Sequence, residues 1–365
     1  MAKKSRVYFI RADRAEAPDA LAQKVRDVLA PTGFIGNLEP EDFVALKIHF
    51  GEKGNTGFIK PAWLRGLIAE ISARAPRTFL TDSNTLYTGP RSNSVDHIRL
   101  AWSHGFTPDV VGVPIIIADG LSGSDYGKTK GSAGRIGEAK IAGAILSADA
   151  LLGLAHVTGH MQTGIGAAIK NLGMGCASRT GKLDQHSVVH PHVQPKACRN
   201  CGLCLNHCSA GAILQRADSV AIDGDRCIGC GECLVVCKFG AIKFRWDDDA
   251  LRVQEKLAEY AFLVARRFSK KLAFINFLLQ VTKDCDCMAG NQPPIVPDVG
   301  ILASPDPVAI DKATADLVIA RSGGKDIFRK GYDVDWSRQL AHGEAVGLGT
   351  TRYALVEIKP SGHSR

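Results

Sequence analysis

Eight cysteines fall into two runs of identical spacing, Cys198-x2-Cys201-x2-Cys204-x3-Cys208 and Cys227-x2-Cys230-x2-Cys233-x3-Cys237. Three thiols spaced by two residues let one tight loop reach three corners of a cube, while a fourth thiol comes from elsewhere in the chain. That is the chemistry of a 4Fe-4S cluster, in which each of four irons takes one thiolate, and the doubled run predicts two clusters. The flanks repeat as well: Gly211-Ala212-Ile213 follows Cys208, and Gly240-Ala241-Ile242 follows Cys237. An internal duplication is implied, each half a cysteine loop, a short helical turn and a strand. Gly202, Gly229 and Gly231 lie between the thiols, where a backbone must bend close to an inorganic core.

The spacing resembles that of two-cluster bacterial ferredoxins. Their crossed ligation implies that Cys198, Cys201, Cys204 and Cys237 hold one cluster, and Cys227, Cys230, Cys233 and Cys208 the other. The chain departs from their pattern at one point, with Ser209 and Lys238 where a proline usually follows the fourth cysteine. Zinc is the alternative reading, since paired C-x2-C motifs also make tetrahedral sites. Zinc sites use four ligands in two pairs, whereas these eight cysteines form two runs of four. A disulfide framework is disfavoured by the N-terminus, which is basic and then apolar but regains charge at Arg11 and Asp13, before an export core is complete.

These cysteines need positioning by a larger body, and at 365 residues with 45% hydrophobic content the chain can bury a sizeable core. On both sides of the ladders, apolar strand-like runs alternate with amphipathic ones, which predicts an α/β domain with a mostly parallel sheet. Strands are expected at 7–11, 43–49, 78–82, 114–118, 150–156, 272–281 and 299–303, and helices at 20–30, 61–75, 95–104, 248–268 and 307–320. Asp306 before Pro307 supplies a cap and a first-turn proline for the last of them. The expected organisation is a discontinuous host, 1–187 and 247–365, with a ferredoxin-like α+β domain inserted at 188–246. His190 to Pro195 would lead in and Asp247 to Asp249 would lead out.

The host's chemistry-bearing residues cluster just after its strands, where open parallel sheets bind ligands. Lys47 and His49 alternate on one strand face, Asp82, Ser83 and Asn84 follow the next strand, and His156 and His160 follow another, with Lys170 and Asn171 beyond. Ser304, Asp306 and Asp311 follow the last strand. Cys285 and Cys287 alternate between carboxylates in Asp284-Cys285-Asp286-Cys287, which on a strand would point both thiols the same way, for metal binding, redox chemistry or packing. Each has an ordinary structural reading too: Asp306 as a helix cap, Lys47 and His49 as strand ends, Cys176 as a structural thiol.

The formal charge of +8 does not call for nucleic acid. Each cluster with its thiolates carries roughly −2, and the basic residues are scattered without a nucleic-acid-reading motif. The apolar run at 272–281 is too short to span a bilayer. A cytoplasmic protein without membrane insertion is expected. The glycine-rich stretch at 120–129 lacks the first glycine of a phosphate loop, Ser122 standing in its place, so nucleotide binding is not expected there.

Over most of the host, the chain resembles the iron-sulfur centre proteins of the family catalogued as domain of unknown function 362. The resemblance rests on residues 44–52, Thr81-Asp82-Ser83-Asn84, His156-Val157-Thr158-Gly159-His160, residues 166–173 and residues 304–311. It implies an α/β domain with an inserted two-cluster ferredoxin and an unassigned activity. At the level of fold, that family has a looser likeness to nickel-dependent lactate racemase domains. The reading that follows is an iron-sulfur oxidoreductase, its two 4Fe-4S clusters passing electrons from a partner protein to a small-molecule substrate or a further metal in the host crevice. Lys47, Lys170 and Asn171 would bind an anionic or carbonyl group; His49 or His156 would handle protons; Cys285 and Cys287 would bind metal or act as redox thiols. Asp82 and His160 complete the candidate set, with metal ligation by His156 and His160 the other reading of that pair if their segment is helical, which Gly159 argues against. A non-enzymatic electron-transfer or assembly protein, and an isomerase with structural clusters, are the rivals.

Overall fold

The computed structural model describes residues 4–87, 89–131, 134–186, 191–208, 210–227, 232–243 and 250–361. Its strands are β1 (Ser5–Ile10), β2 (Phe43–Ile48), β3 (Arg77–Asp82), β4 (Ile115–Ile117), β5 (Tyr126–Lys130), β6 (Glu138–Ala142), β7 (Ala150–His160), β8 (Gly164–Gly166), β9 (His192–Val193), β10 (Ile213–Gln215), β11 (Val220–Ile222), β12 (Ile242–Lys243), β13 (Leu272–Thr282), β14 (Gly300–Ser304) and β15 (Tyr353–Glu357). Nine of them make one sheet in the order β15-β1-β14-β13-β7-β2-β3-β4, with β8 paired to β7. The sheet is mostly parallel, as expected: β1 with β15, β13 with β7, β7 with β2, β2 with β3 and β3 with β4. Only β14 against β1 and β13, and β8 against β7, run antiparallel.

Strand alternation divides the sheet's side chains between two cores. Val44, Leu46 and Ile48 of β2 join Leu152 and Leu154 of β7 beneath the helices Pro18–Leu29 and Pro61–Arg74. Ala45 and Leu151 face the other way, toward the helices Ala250–Phe268 and Pro307–Arg321. This three-layer arrangement buries the central strands on both faces, which is why they read as continuous apolar runs. All seven expected strands and five expected helices are present within a few residues of their expected bounds. The edge strand β15, which follows no strong apolar run, was not anticipated.

Two expectations need correcting. Because β14 runs antiparallel to β13, pairing Ser304 with Phe274, its carboxyl end lies at the opposite edge of the sheet from those of β2, β3, β7 and β13. Ser304 and Asp306 therefore stand away from the crevice: Asp306 caps the helix Pro307–Arg321 through the amides of Val308 and Ala309. In addition, Cys285 and Cys287 are not on a strand. β13 ends at Thr282, and the thiols sit in the turn beyond it.

The cysteine-bearing segment has its own core, with Cys204 and Cys233 among Ile213, Val220, Leu234 and Ile242. β9 and β12 pair antiparallel, as do β10 and β11, so the start and end of this segment meet at one place beside the host. Cys230, Ser209, Gly229, Gly231, His190 and residues 247–249 lie outside the described residues. The glycine-rich stretch leads into the β5–β6 hairpin and not into a helix, so it has no phosphate-loop geometry.

Candidate functional site

The parallel strands β2, β3, β7 and β13 end on the same side of the sheet, and a cavity of about 730 Å³ opens beyond them. All nine candidate residues of the crevice line it: Lys47, His49, Asp82, His156, His160, Lys170, Asn171, Cys285 and Cys287. They play different parts.

Lys47, Asp82 and Asn171 form a closed network. Lys47 Nζ is 2.9 Å from Asp82 Oδ1 and donates to Asn171 Oδ1 at 2.8 Å. The Asn171 amide donates in turn to the carbonyls of Lys47 and Leu154. Burial penalises the Asp82 charge, but the cations Lys47 and Arg91 around it prevail and hold its carboxyl well below the usual range. Gly175 is required here, because a Cβ at that position would overlap Asn171's carbonyl and the Lys47 ammonium. Ser83 donates to the Gly175 carbonyl, and Asn84 is held by Asp119, so these two brace the loop.

His49 accepts the Gly51 amide on Nδ1, while its buried Nε2 has no hydrogen-bond partner among the described residues. Burial and the nearby Arg91 guanidinium keep this imidazole neutral, its pKa well below the usual value. His156 is the opposite case. Its Nδ1 meets Asp286 Oδ2 at 2.8 Å, and its Nε2 is 2.9 Å from the Leu279 carbonyl and 3.2 Å from that of Gln280. With acceptors on both nitrogens the ring is an imidazolium. Burial works against that charge, but Asp286 and the two carbonyls outweigh it and raise the pKa. Gln280 adopts a left-handed φ of 53° at a register shift in β13, which turns both carbonyls toward the ring.

His160 is four residues from His156 on β7, and both line the cavity, on a strand and not a helix. Ligand atoms of His160, Cys285 and Cys287 lie within 4.8 Å of one another. Yet His160 Nδ1 accepts the amides of Gln162 and Thr163, each at 3.2 Å, so the neutral ring carries its proton on Nε2 and has no spare lone pair for an ion. Burial, with Lys170 and His186 nearby, keeps the ring neutral. Cys285 and Cys287 are joined as a disulfide, and Lys170 Nζ is 3.3 Å from Cys285 Sγ. Burial pulls the Lys170 pKa down to about 8.

Lys170 and Asn171 are held in place from below. Asp311, at the middle of the sheet's helical layer, accepts the amides of Ala168 and Ile169 at the start of the helix Ala168–Gly173, and the side-chain amide of Asn276. It is a positioning residue.

Residues not singled out from sequence complete the wall. Arg91 pairs with Glu52 at 3.0 Å and contacts Tyr87, whose hydroxyl donates to Glu52. The helix Arg179–His186 has two working faces. Lys182 and His186, one turn apart, line the cavity, and Lys182 reaches the Asn84 carbonyl at 2.7 Å. Leu183 belongs to the core of the cysteine segment, and Arg179 lies within electrostatic reach of Cys237. Leu86 belongs to that core and lines the cavity as well. The only signal in the sequence was a basic residue and a histidine at helical spacing, which surface helices also carry.

Within the cysteine segment, the thiols acting on Cys204 are Cys237, Cys198 and Cys201, the crossed set of the first ladder. Burial raises the Cys204 pKa, and those three thiols add to the shift. The duplication persists in the hydrogen bonding: Ala212 N donates to Cys208 Sγ at 3.2 Å and Ala241 N to Cys237 Sγ at 3.3 Å. Gly211 and Gly240, with φ of 57° and 59°, make the equivalent left-handed turns that aim these amides. Cys176 is fully buried in the host core, its thiol pushed up to about 12 by burial, and is structural.

Fold and site together define an α/β protein with a cavity at the carboxyl ends of its parallel strands, lined by the ionisable residues above, and a cysteine-rich segment against the cavity wall. The family model described as domain of unknown function (DUF362) matches residues 44–316, and the chain belongs to that family. No curated protein matches it. Among solved structures it is similar to the lactate racemase apoprotein from Thermoanaerobacterium thermosaccharolyticum, at 9% identity and a TM-score of 0.37, over 75% of this chain and 50% of that one. It is also similar to a structural-genomics target from Thermotoga maritima, at 8% identity and a TM-score of 0.39, over 86% of this chain and 58% of that one. The chain thus spans between half and three-fifths of the length of these two structures. Among the described residues, no helix is long and apolar enough to cross a membrane.

Proposed function

We propose that the protein is an iron-sulfur oxidoreductase whose inserted ferredoxin-like domain holds two 4Fe-4S clusters and whose host cavity receives the electrons. Cys198, Cys201, Cys204 and Cys237 would hold one cluster, and Cys227, Cys230, Cys233 and Cys208 the other. The gathering of Cys237, Cys198 and Cys201 around Cys204 fits this ligand set, and so do the amides aimed at Cys208 and Cys237, since N–H donors to sulfur tune cluster potentials. Such clusters supply one-electron transfer.

The observation that carries the reading is the helix Arg179–His186, which packs Leu183 into the cysteine segment while Lys182 and His186 line the cavity. The same short helix thus touches both the proposed electron source and the cavity. Within the cavity, Lys170 and Lys182, both with pKa drawn down to about 8 by burial, suit an anionic or carbonyl-bearing ligand better than Lys47, which Asp82 already neutralises. His49, whose Nδ1 accepts the Gly51 amide and whose Nε2–H is therefore unengaged, is the group positioned to donate a hydrogen bond or a proton to a bound ligand.

Metal and sulfide analysis of anaerobically purified protein tests the clusters: about eight irons and eight sulfides are expected. Zinc without labile sulfide would overturn the reading. Turnover of the reduced protein with candidate acceptors, compared with Lys182→Ala and His49→Gln, tests the cavity. Unchanged electron-transfer rates in both variants would leave the cavity without a redox part.

A further inference from the structure

We infer that Cys285 and Cys287 form a reversible dithiol–disulfide centre in the cavity, with Lys170 stabilising the Cys285 thiolate. The inference rests on the proposed clusters for its electrons. The two thiols are separated by one residue in a turn fixed to the sheet through the His156–Asp286 pair, so both oxidation states need little movement of the backbone. Cys285 is buried and Cys287 half-buried, both on the cavity wall. Lys170 Nζ stands 3.3 Å from Cys285 Sγ, and a cation beside a sulfur favours the thiolate that leaves when the S–S bond opens. The Cys287 amide, 3.2 Å from the same sulfur, adds a second donor. The other sulfur chemistry open to the site, a metal shared with His160, is opposed by the two amides that occupy His160 Nδ1.

The S–S bond takes two electrons, one delivered from each reduced cluster, and breaks. Cys285 Sγ remains as a thiolate paired with the Lys170 ammonium, and Cys287 Sγ takes one proton from bulk solvent, so the centre gains two electrons and one proton. Loss of the two electrons to a two-electron acceptor, with release of that proton, closes the bond again.

The test uses anaerobic holoprotein, with iron and sulfide measured on the same sample, titrated with dithionite and followed by cluster absorbance, thiol alkylation and mass spectrometry. Two alkyl labels should appear on Cys285 and Cys287 as reduction proceeds, and Cys285→Ser should consume about two electrons fewer than the parent. A Cys204→Ser variant, short of one cluster, should gain these labels at least tenfold more slowly; labelling at the parent's rate would mean direct reduction and overturn the electron route. Clusters that bleach fully while the two cysteines stay unlabelled, or are labelled before any reductant is added, would overturn the inference and leave the proposed function standing. Absence of iron and sulfide would overturn both. For Lys170, the pH midpoint of Cys285 alkylation should rise by roughly 1 unit in Lys170→Gln and return in Lys170→Arg. An unmoved midpoint would remove Lys170 from the centre.

Discussion

His156 Nδ1 and Asp286 Oδ2 lie 2.8 Å apart, and this pair fastens β7 to the turn that carries Cys285 and Cys287. The imidazolium is held by three acceptors, so Asp286→Asn should drop the His156 pKa from above 6.5 to below it, as burial then goes unopposed. Imidazole proton shifts followed by NMR across pH measure it directly. The stability the His156 charge contributes is complete below the unfolded imidazole pKa and is lost as pH rises through the higher folded value. Asp286, with its pKa lowered, contributes above the unfolded carboxyl value and loses that contribution as pH falls through its folded value. Denaturation midpoints should therefore fall on both the acid and the alkaline side in the parent and vary less in Asp286→Asn.

Lys47→Ala should act first on stability. The substitution leaves the buried Asp82 carboxylate with the longer Arg91 ion pair, at 3.7 Å, and a neutral His97 at 3.6 Å. Breaking such a buried pair costs about 3–5 kcal/mol. Urea denaturation should register that loss, and Lys47→Ala with Asp82→Asn combined should recover part of it.

Cys237→Ser should damage the cluster of the other ladder. If Cys237 completes the cage of Cys198, Cys201 and Cys204, its loss should release or degrade that cluster, while the second keeps about four irons. Cys208→Ser should give the mirror-image result. Iron analysis with electron paramagnetic resonance distinguishes crossed ligation from two self-contained ladders, in which each variant would damage its own.

Asp311→Ala should loosen the floor of the cavity. It strips partners from the amides of Ala168 and Ile169 and from Asn276, all buried, at about 1–3 kcal/mol for each group left unsatisfied. Chemical denaturation should report the cost, and amide exchange should rise first in the helix Ala168–Gly173.

Lys47 and His49 were legible as site residues because a polar residue at the end of an apolar strand in a parallel sheet has few other places to be. Asp82, His156 and His160 followed the same rule. Asp306 fitted that rule equally well and stands elsewhere, because nothing in the local pattern of β14 reveals that it runs against its neighbour. Lys182, His186 and Arg91 escaped notice for a different reason. They follow no strand, and a basic residue on a short helix or loop looks solvated until its surroundings are known.

The chain's own residues determined the two cysteine ladders and their duplication, the seven main strands and the helices between them, since spacing and apolar period are properties of neighbouring residues. Which residues meet across the cavity was decided only by the tertiary structure. The pairing of Lys170 with Cys285, of His156 with Asp286, and of Leu183 with the cysteine segment joins positions tens to more than a hundred residues apart. Their contact depends on strand order and direction, which the packing of two cores against one sheet selects and no local pattern encodes.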